Sequence, residues 1–232
     1  GTATGGTMVS LYREIASRFA ERSLSLAQIE TFQLDEYYPI DPWHPQSYRF
    51  FIRKHLVEVT DLPLSNAHVL NGATRDPAAT CERWDARLRE RPLDLQLLGI
   101  GVEGHIAFVE ARKEGDRALG ESRTMLVDLD ESTLQENKRF FAPDEPQPTQ
   151  ALTVGIGTLL DVVEHFVLVA FGPRKAAAVA AALLGEVDDG CPASYIREGR
   201  RATVVLDTAA AAPLLARVQK SGLPDHLRVH CL

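Results

Sequence analysis

A chain of 232 residues, 45% of them hydrophobic, has the material for one globular domain with a sizeable core. Its formal charge of −7 comes from acids and bases mixed along the chain, with no basic stripe suited to nucleic acid, and no apolar run reaches the ~18 residues that span a membrane. Cys81, Cys191 and Cys231 show no CxxC spacing, which argues against a disulfide scaffold or a zinc site; with no secretory signal in view, a reducing, cytoplasmic setting is expected.

The chain opens on "GTATGGT" (1–7), a Gly-rich turn that runs into a helical pattern over 7–22. A parallel sheet feeds such a turn from a strand, so a strand ahead of Gly1 is expected. Thr hydroxyls and backbone N–H groups at a helix N-terminus make a phosphate cradle, although an ordinary strand–helix turn has the same composition. A strand over 26–34 ends in "QLDEYY" (33–38). Asp35 and Glu36 there fit general-base work, and equally a helix cap or a loop acid. A helix over 45–59 and a strand over 67–72 follow, and Asp76-Pro77 starts a helix over 76–92.

The next strand, 94–101, leads into "LLGIGVEGHIAFVE" (97–110). Gly99, Gly101 and Gly104 loosen this loop, and Glu103, His105 and Glu110 follow within eight residues. An imidazole with a nearby carboxylate is a usable proton shuttle near neutral pH. "NKRFF" (137–141) supplies Arg139. "TVGIGTLL" (153–160) says only that backbone bends or packs closely after a strand over 152–157. After a strand over 165–172, "GPRKA" sets Arg174 and Lys175 at the head of a helix over 173–185, which Gly185 stops. A cation there opposes the helix dipole, and an anionic ligand would account for it. A strand over 201–207 and a helix over 208–220 complete the pattern.

Strands alternating with helices imply right-handed crossovers and a mostly parallel sheet covered on both faces. Ligands of such sheets bind beyond the carboxyl ends of the strands, where the Gly-rich stretches fall.

Seven stretches in order resemble the glucosamine-6-phosphate deaminase family: "ATGGT", "FQLDEYYPIDPWHPQSY", "LLGIGVEGHIAFVE", "SRTMLVDLDESTLQENKRFF", "ALTVGIGTLLD", "GPRKA" and "PASYI". The resemblance runs to about residue 207 and leaves the tail without signal. It implies an α/β fold, a three-layer α/β/α sandwich with a mostly parallel, Rossmann-like sheet, as one sugar-phosphate isomerase/deaminase domain over 1–232. It also implies ring opening and aldose–ketose isomerisation of an amino-sugar 6-phosphate to fructose 6-phosphate and ammonia, with no metal or organic cofactor. By the same resemblance, Asp35 matches the acid that moves a proton between C1 and C2. His105 matches the ring-opening catalyst, Glu110 its supporting carboxylate, and Glu103 a further acid of the catalytic loop. Thr4, Gly5, Gly6, Thr7, Arg139 and Lys175 match the phosphate-binding set, and the segment 122–148 matches a lid. The implied partner is a small sugar phosphate. Family members occur as monomers and as hexamers, so a homo-oligomer is among the states open to this chain.

Several positions depart from the family pattern. Glu103 stands where the family has Asp or Asn, Val109 where it has Asn, and Ala111 where it has Pro. Met125 and Val127 replace basic residues of the allosterically regulated members. The family's N-terminal helix and first strand have no counterpart ahead of Gly1. Two other readings use the same residues. A 6-phosphogluconolactonase, a hydrolase similar in fold and loops, carries Arg after the Asp-Glu pair, where this chain has Tyr37, and Arg ahead of the "LT" strand, where it has Gln150-Ala151. A sugar-phosphate-binding module of weak catalytic power would tolerate Glu103 and Val109, but no DNA-binding segment accompanies the fold here.

Overall fold

The computed structural model describes residues 1–112, 114–218 and 225–232, without the side chain of Glu136. In chain order the elements are α1 (Gly6–Ala20), β1 (Thr31–Phe32), β2 (Asp35–Tyr38), α2 (Tyr48–His55), β3 (Ala67–His68), α3 (Pro77–Glu90), β4 (Gln96–Leu98) and β5 (Met125–Asp128). They continue with α4 (Glu131–Asn137), β6 (Gln150–Thr153), α5 (Ile156–Val162), β7 (Phe166–Ala170), α6 (Ala176–Leu184), β8 (Ala202–Leu206), α7 (Thr208–Val218) and β9 (Leu227–Cys231).

The interior of the sheet is built by "FVLVA" and "ATVVL", β-branched runs whose buried residues need cover on both faces. Strands β4, β7, β8 and β9 pair in that order, all parallel. Strands β1 and β3 also pair in parallel. Gly1 and Thr2 join the two groups. Thr2 N–H donates to Phe32 C=O at 2.8 Å, and Leu97 N–H donates to Gly1 C=O at 3.0 Å. From Gly1–Thr2 the chain is laid outward through β1 to β3 on one side, and through β4, β7, β8 and β9 on the other. Right-handed crossovers then send α1 over one face and α6 and α7 over the opposite one. This reversal of strand order is the switch point at which open α/β sheets form their ligand crevice. The α/β class and the predominance of parallel pairing match the alternation in the sequence.

A second sheet, with order β2-β6-β5, is antiparallel and departs from that pattern. It splits the strand expected over 26–34: Thr31–Phe32, with a single bridge from Gln33 to Thr2, pairs in parallel, and the chain re-enters a sheet at Asp35. The strand expected over 152–157 is displaced too, since β6 ends at Thr153 and α5 begins at Ile156. Its glycines have a packing reason. A Cβ on Gly155 would stand 2.4 Å from the Arg123 carbonyl oxygen, and one on Gly157 would stand 2.7 Å from that of Gly120. The helix start therefore lies directly on the backbone of 120–123. Strand β5 offers a run of only three apolar residues and β9 interrupts its apolar positions with Arg228 and His230, so neither announces itself. The helix expected over 208–220 is seen to Val218, and 219–220 lie outside the described residues.

Helix starts follow the expected chemistry. Asp76 accepts the Ala79 N–H at 3.0 Å with Pro77 in the first turn of α3, and Ser47 accepts the Phe50 N–H at 3.0 Å to begin α2. No helix among the described residues is long and apolar enough to cross a membrane.

Candidate active site

A cavity of about 350 Å³ opens at the carboxyl ends of the parallel strands, at the switch point. Its first wall is the turn after Thr2. Gly5 holds φ +92°, with open space where a Cβ would project, and α1 begins at Gly6 with no side-chain cap. The first amides of α1 are thus left for a ligand. Thr4, Gly5, Gly6 and Thr7 all line the cavity.

The second wall separates two adjacent acids. Glu36 turns away from the cavity and accepts the N–H groups of Tyr48 and Arg49 at 2.8 Å each, with that of Tyr37 at 3.0 Å, so it caps α2. Asp35 lines the cavity, is only 7% exposed, and has no hydrogen-bond partner among the described residues. Burial, with Glu36 as a lesser cause, pushes its carboxyl up to about 8. An acid so placed is a strong base once ionised.

The third wall is the loop after β4. His105 lines the cavity, and its Nδ1 lies 2.9 Å from Glu110 Oε2. Glu110 Oε1 accepts the Thr133 hydroxyl at 2.5 Å. Burial works to raise the Glu110 carboxyl, but the nearby His105 imidazole and the bond from the Thr133 hydroxyl outweigh it and hold the group below the ordinary range. Gly101 is needed for the ring's position, because a Cβ there would fall 2.2 Å from His105 Cε1. Ala107, also on the cavity, sits at φ +54°, a left-handed conformation costing about 1 kcal/mol or more outside glycine.

Cations close the far end. Arg139 comes from the turn Lys138–Phe140, its guanidinium 4.8 Å from the centre of the Phe140 ring. Arg174 and Lys175 come from the turn after β7. That turn is set by Gly172 at φ +88°, whose N–H donates to both Asp207 oxygens at 3.0 Å.

Of the residues singled out from sequence, Thr4, Gly5, Gly6, Thr7, Asp35, His105, Arg139 and Lys175 share this one cavity, with Glu110 directly behind His105. Glu103 is not brought in. It is exposed, and its Oε2 accepts the Ser132 hydroxyl at 3.2 Å. Val109 points into the core, so the apolar residue in place of a polar one alters packing behind the loop. Tyr48, Thr133 and Asn137 also line the cavity. A signal for Tyr48 lies in "HPQSY", where a Ser cap puts it in the first turn of a helix. Nothing in the sequence shows which way the seven-residue α4 turns Thr133. Among the described residues no group of three or more His, Cys, Asp or Glu could hold a metal ion.

The arrangement combines a buried carboxyl of raised basicity, an imidazole backed by a carboxylate, and an anion cradle of amides and cations. It suits proton transfer on a small anionic substrate. Residues 2–205 match the family described as glucosamine-6-phosphate isomerases/6-phosphogluconolactonase. The chain is 41% identical over 215 residues to a glucosamine-6-phosphate deaminase of Shewanella loihica, covering 92% of this chain and 78% of that protein. It is 42% identical over 200 residues to glucosamine-6-phosphate deaminase 1 of Giardia intestinalis, covering 85% and 73%. A solved monomeric glucosamine-6-phosphate deaminase superposes with a TM-score of 0.85 at 36% identity, covering 91% of this chain and 86% of that one. The 6-phosphogluconolactonase of Thermotoga maritima shares the fold, with a TM-score of 0.65 at 20% identity over 87% of this chain and 81% of that one. The chain belongs to the glucosamine-6-phosphate isomerase/6-phosphogluconolactonase family.

Proposed function

We propose that the protein is a glucosamine-6-phosphate deaminase, forming fructose 6-phosphate and ammonia. The observation that carries this reading is that Asp35 and His105, the latter backed by Glu110, face one cavity whose far end is cationic. The amides of 4–7, Arg139 and Lys175 hold the phosphate. His105, backed by Glu110, takes the anomeric hydroxyl proton and delivers one to the ring oxygen, which opens the sugar. Asp35 removes the C2 proton of the open aldehyde, giving an enediol-type enolamine across C1 and C2, and returns a proton to C1. The iminium left at C2 adds water and expels ammonia, leaving the ketone. Residues 122–148 act as the lid. Glu103 stands beside this machinery at the lid rather than in contact with the sugar. The test supplies the purified protein with glucosamine 6-phosphate and, separately, with 6-phosphogluconolactone. Ammonia and fructose 6-phosphate in equal amounts are expected from the first. Lactone hydrolysis alone would make the protein a lactonase, and binding without turnover of either would make it a binding module.

A further inference from the structure

We propose that α4 sets the geometry of the His105–Glu110 pair, with Thr133 as the positioning residue and Glu103 as the latch that holds α4 in place. The inference rests on the proposed role of that pair in ring opening. Two consecutive hydroxyls of α4 reach two carboxylates of one loop: Thr133 donates to Glu110 at 2.5 Å, and Ser132 donates to Glu103 at 3.2 Å. Gly104, at φ +87°, turns the backbone between Glu103 and His105, so that Glu103 is exposed while His105 lines the cavity.

Thr133 is itself 5% exposed and lines the cavity. Glu110 has two oxygens and two neighbours: Oε1 meets the hydroxyl and Oε2 meets the imidazole. The hydroxyl therefore fixes the rotation of the carboxylate that backs His105. Without it, Oε1 would be left with no partner in a largely buried position. A hydroxyl also suits the charges around it. Glu110 faces His105 and Asp130, and Asp130 feels Glu103 in turn. A neutral donor orients Glu110 without cancelling the charge that His105 uses, as a Lys or Arg in its place would.

The experiment compares Thr133→Val, which keeps volume and removes the hydroxyl, with Thr133→Ser, which keeps the hydroxyl. Thr133→Val is expected to lower kcat for deamination by at least ~10-fold with KM changed less than about 2-fold, and Thr133→Ser to stay within about 3-fold of wild type. The ring Cε1–H resonance of His105 at fixed pH should move in Thr133→Val and return in Thr133→Ser. This second reading needs no turnover, so it tests the contact even if the protein proves inactive on amino-sugar phosphates. Glu103→Ala and Ser132→Ala should each lower kcat by a similar factor, and the double variant no further. An unmoved His105 resonance in Thr133→Val, an equal shift in both Thr133 variants, or losses that multiply for Glu103 and Ser132 would overturn the proposal.

Discussion

Replacing Asp35 by Asn should stabilise the protein while disabling it. In the unfolded chain this carboxyl ionises near its ordinary value of 3.8; in the folded protein burial raises it to about 8. The folded state therefore binds an extra proton between those values, and stability contributed by the neutral acid is lost as pH rises from about 4 to about 8. At pH 7 the difference corresponds to a ceiling of about 4 kcal/mol, at 1.36 kcal/mol per pH unit. Water entry into an open cavity and relaxation around the ion reduce it, so a gain of about 1–2 kcal/mol is expected, or roughly 2–8 °C in melting temperature for a domain of this size. Asn cannot ionise and has nearly the same shape. Thermal melts of both proteins at pH 5 and pH 8 are the assay, with the variant's advantage growing towards pH 8. An advantage equal at both pH values, or a variant less stable at pH 8, would refute the claim that Asp35 carries a desolvation cost.

Other consequences follow from single contacts. Lys175→Ala should weaken binding of a sugar phosphate at least ~10-fold, about 1.4 kcal/mol, by titration calorimetry; an unchanged dissociation constant would put the phosphate elsewhere. Gly101→Ala places a Cβ 2.2 Å from the His105 ring and should cut kcat by ~100-fold or more without unfolding the protein, as judged by kinetics and circular dichroism. N-acetylglucosamine 6-phosphate should not activate the enzyme. Val109, Met125 and Val127 line a hollow of about 320 Å³ behind the catalytic loop, facing Asp128 and Asp130 with Arg112 as its one cation among the described residues. A sigmoidal rate curve made hyperbolic by this sugar would contradict that.

The site was legible in the sequence where function depends on backbone and on strand ends. Gly5, Gly101 and Gly172 mark turns that nothing bulkier would fit or permit, and the parallel strands carry their loops to one edge. What stayed hidden depends on side-chain direction. Asp35 and Glu36 are neighbours of the same chemistry, yet one lines the cavity and the other caps α2. The cap reading of the pair falls on Glu36, which leaves Asp35 as the candidate for the base. Glu103 reads as a second acid of the loop beside Glu110, but Gly104 reverses the chain and sends it to Ser132. The antiparallel sheet is hidden in the sequence for a different reason. Strand β5 alternates half-buried and exposed residues, and β2 is short and polar, so neither has the apolar run that marks β7. Helix α5 is masked by Gly157, which weakens helical propensity, and by Gly155 just ahead of it, both required by close backbone packing.

The most direct test of the account is the chemistry of Asp35→Asn measured beside its binding. Supplied with glucosamine 6-phosphate, the variant should bind it within about 3-fold of wild type by calorimetry and form fructose 6-phosphate at least ~1,000-fold more slowly, because the base is lost while the phosphate cradle stays. Turnover near the wild-type rate would remove Asp35 from the mechanism and with it the proposed proton transfer between C1 and C2.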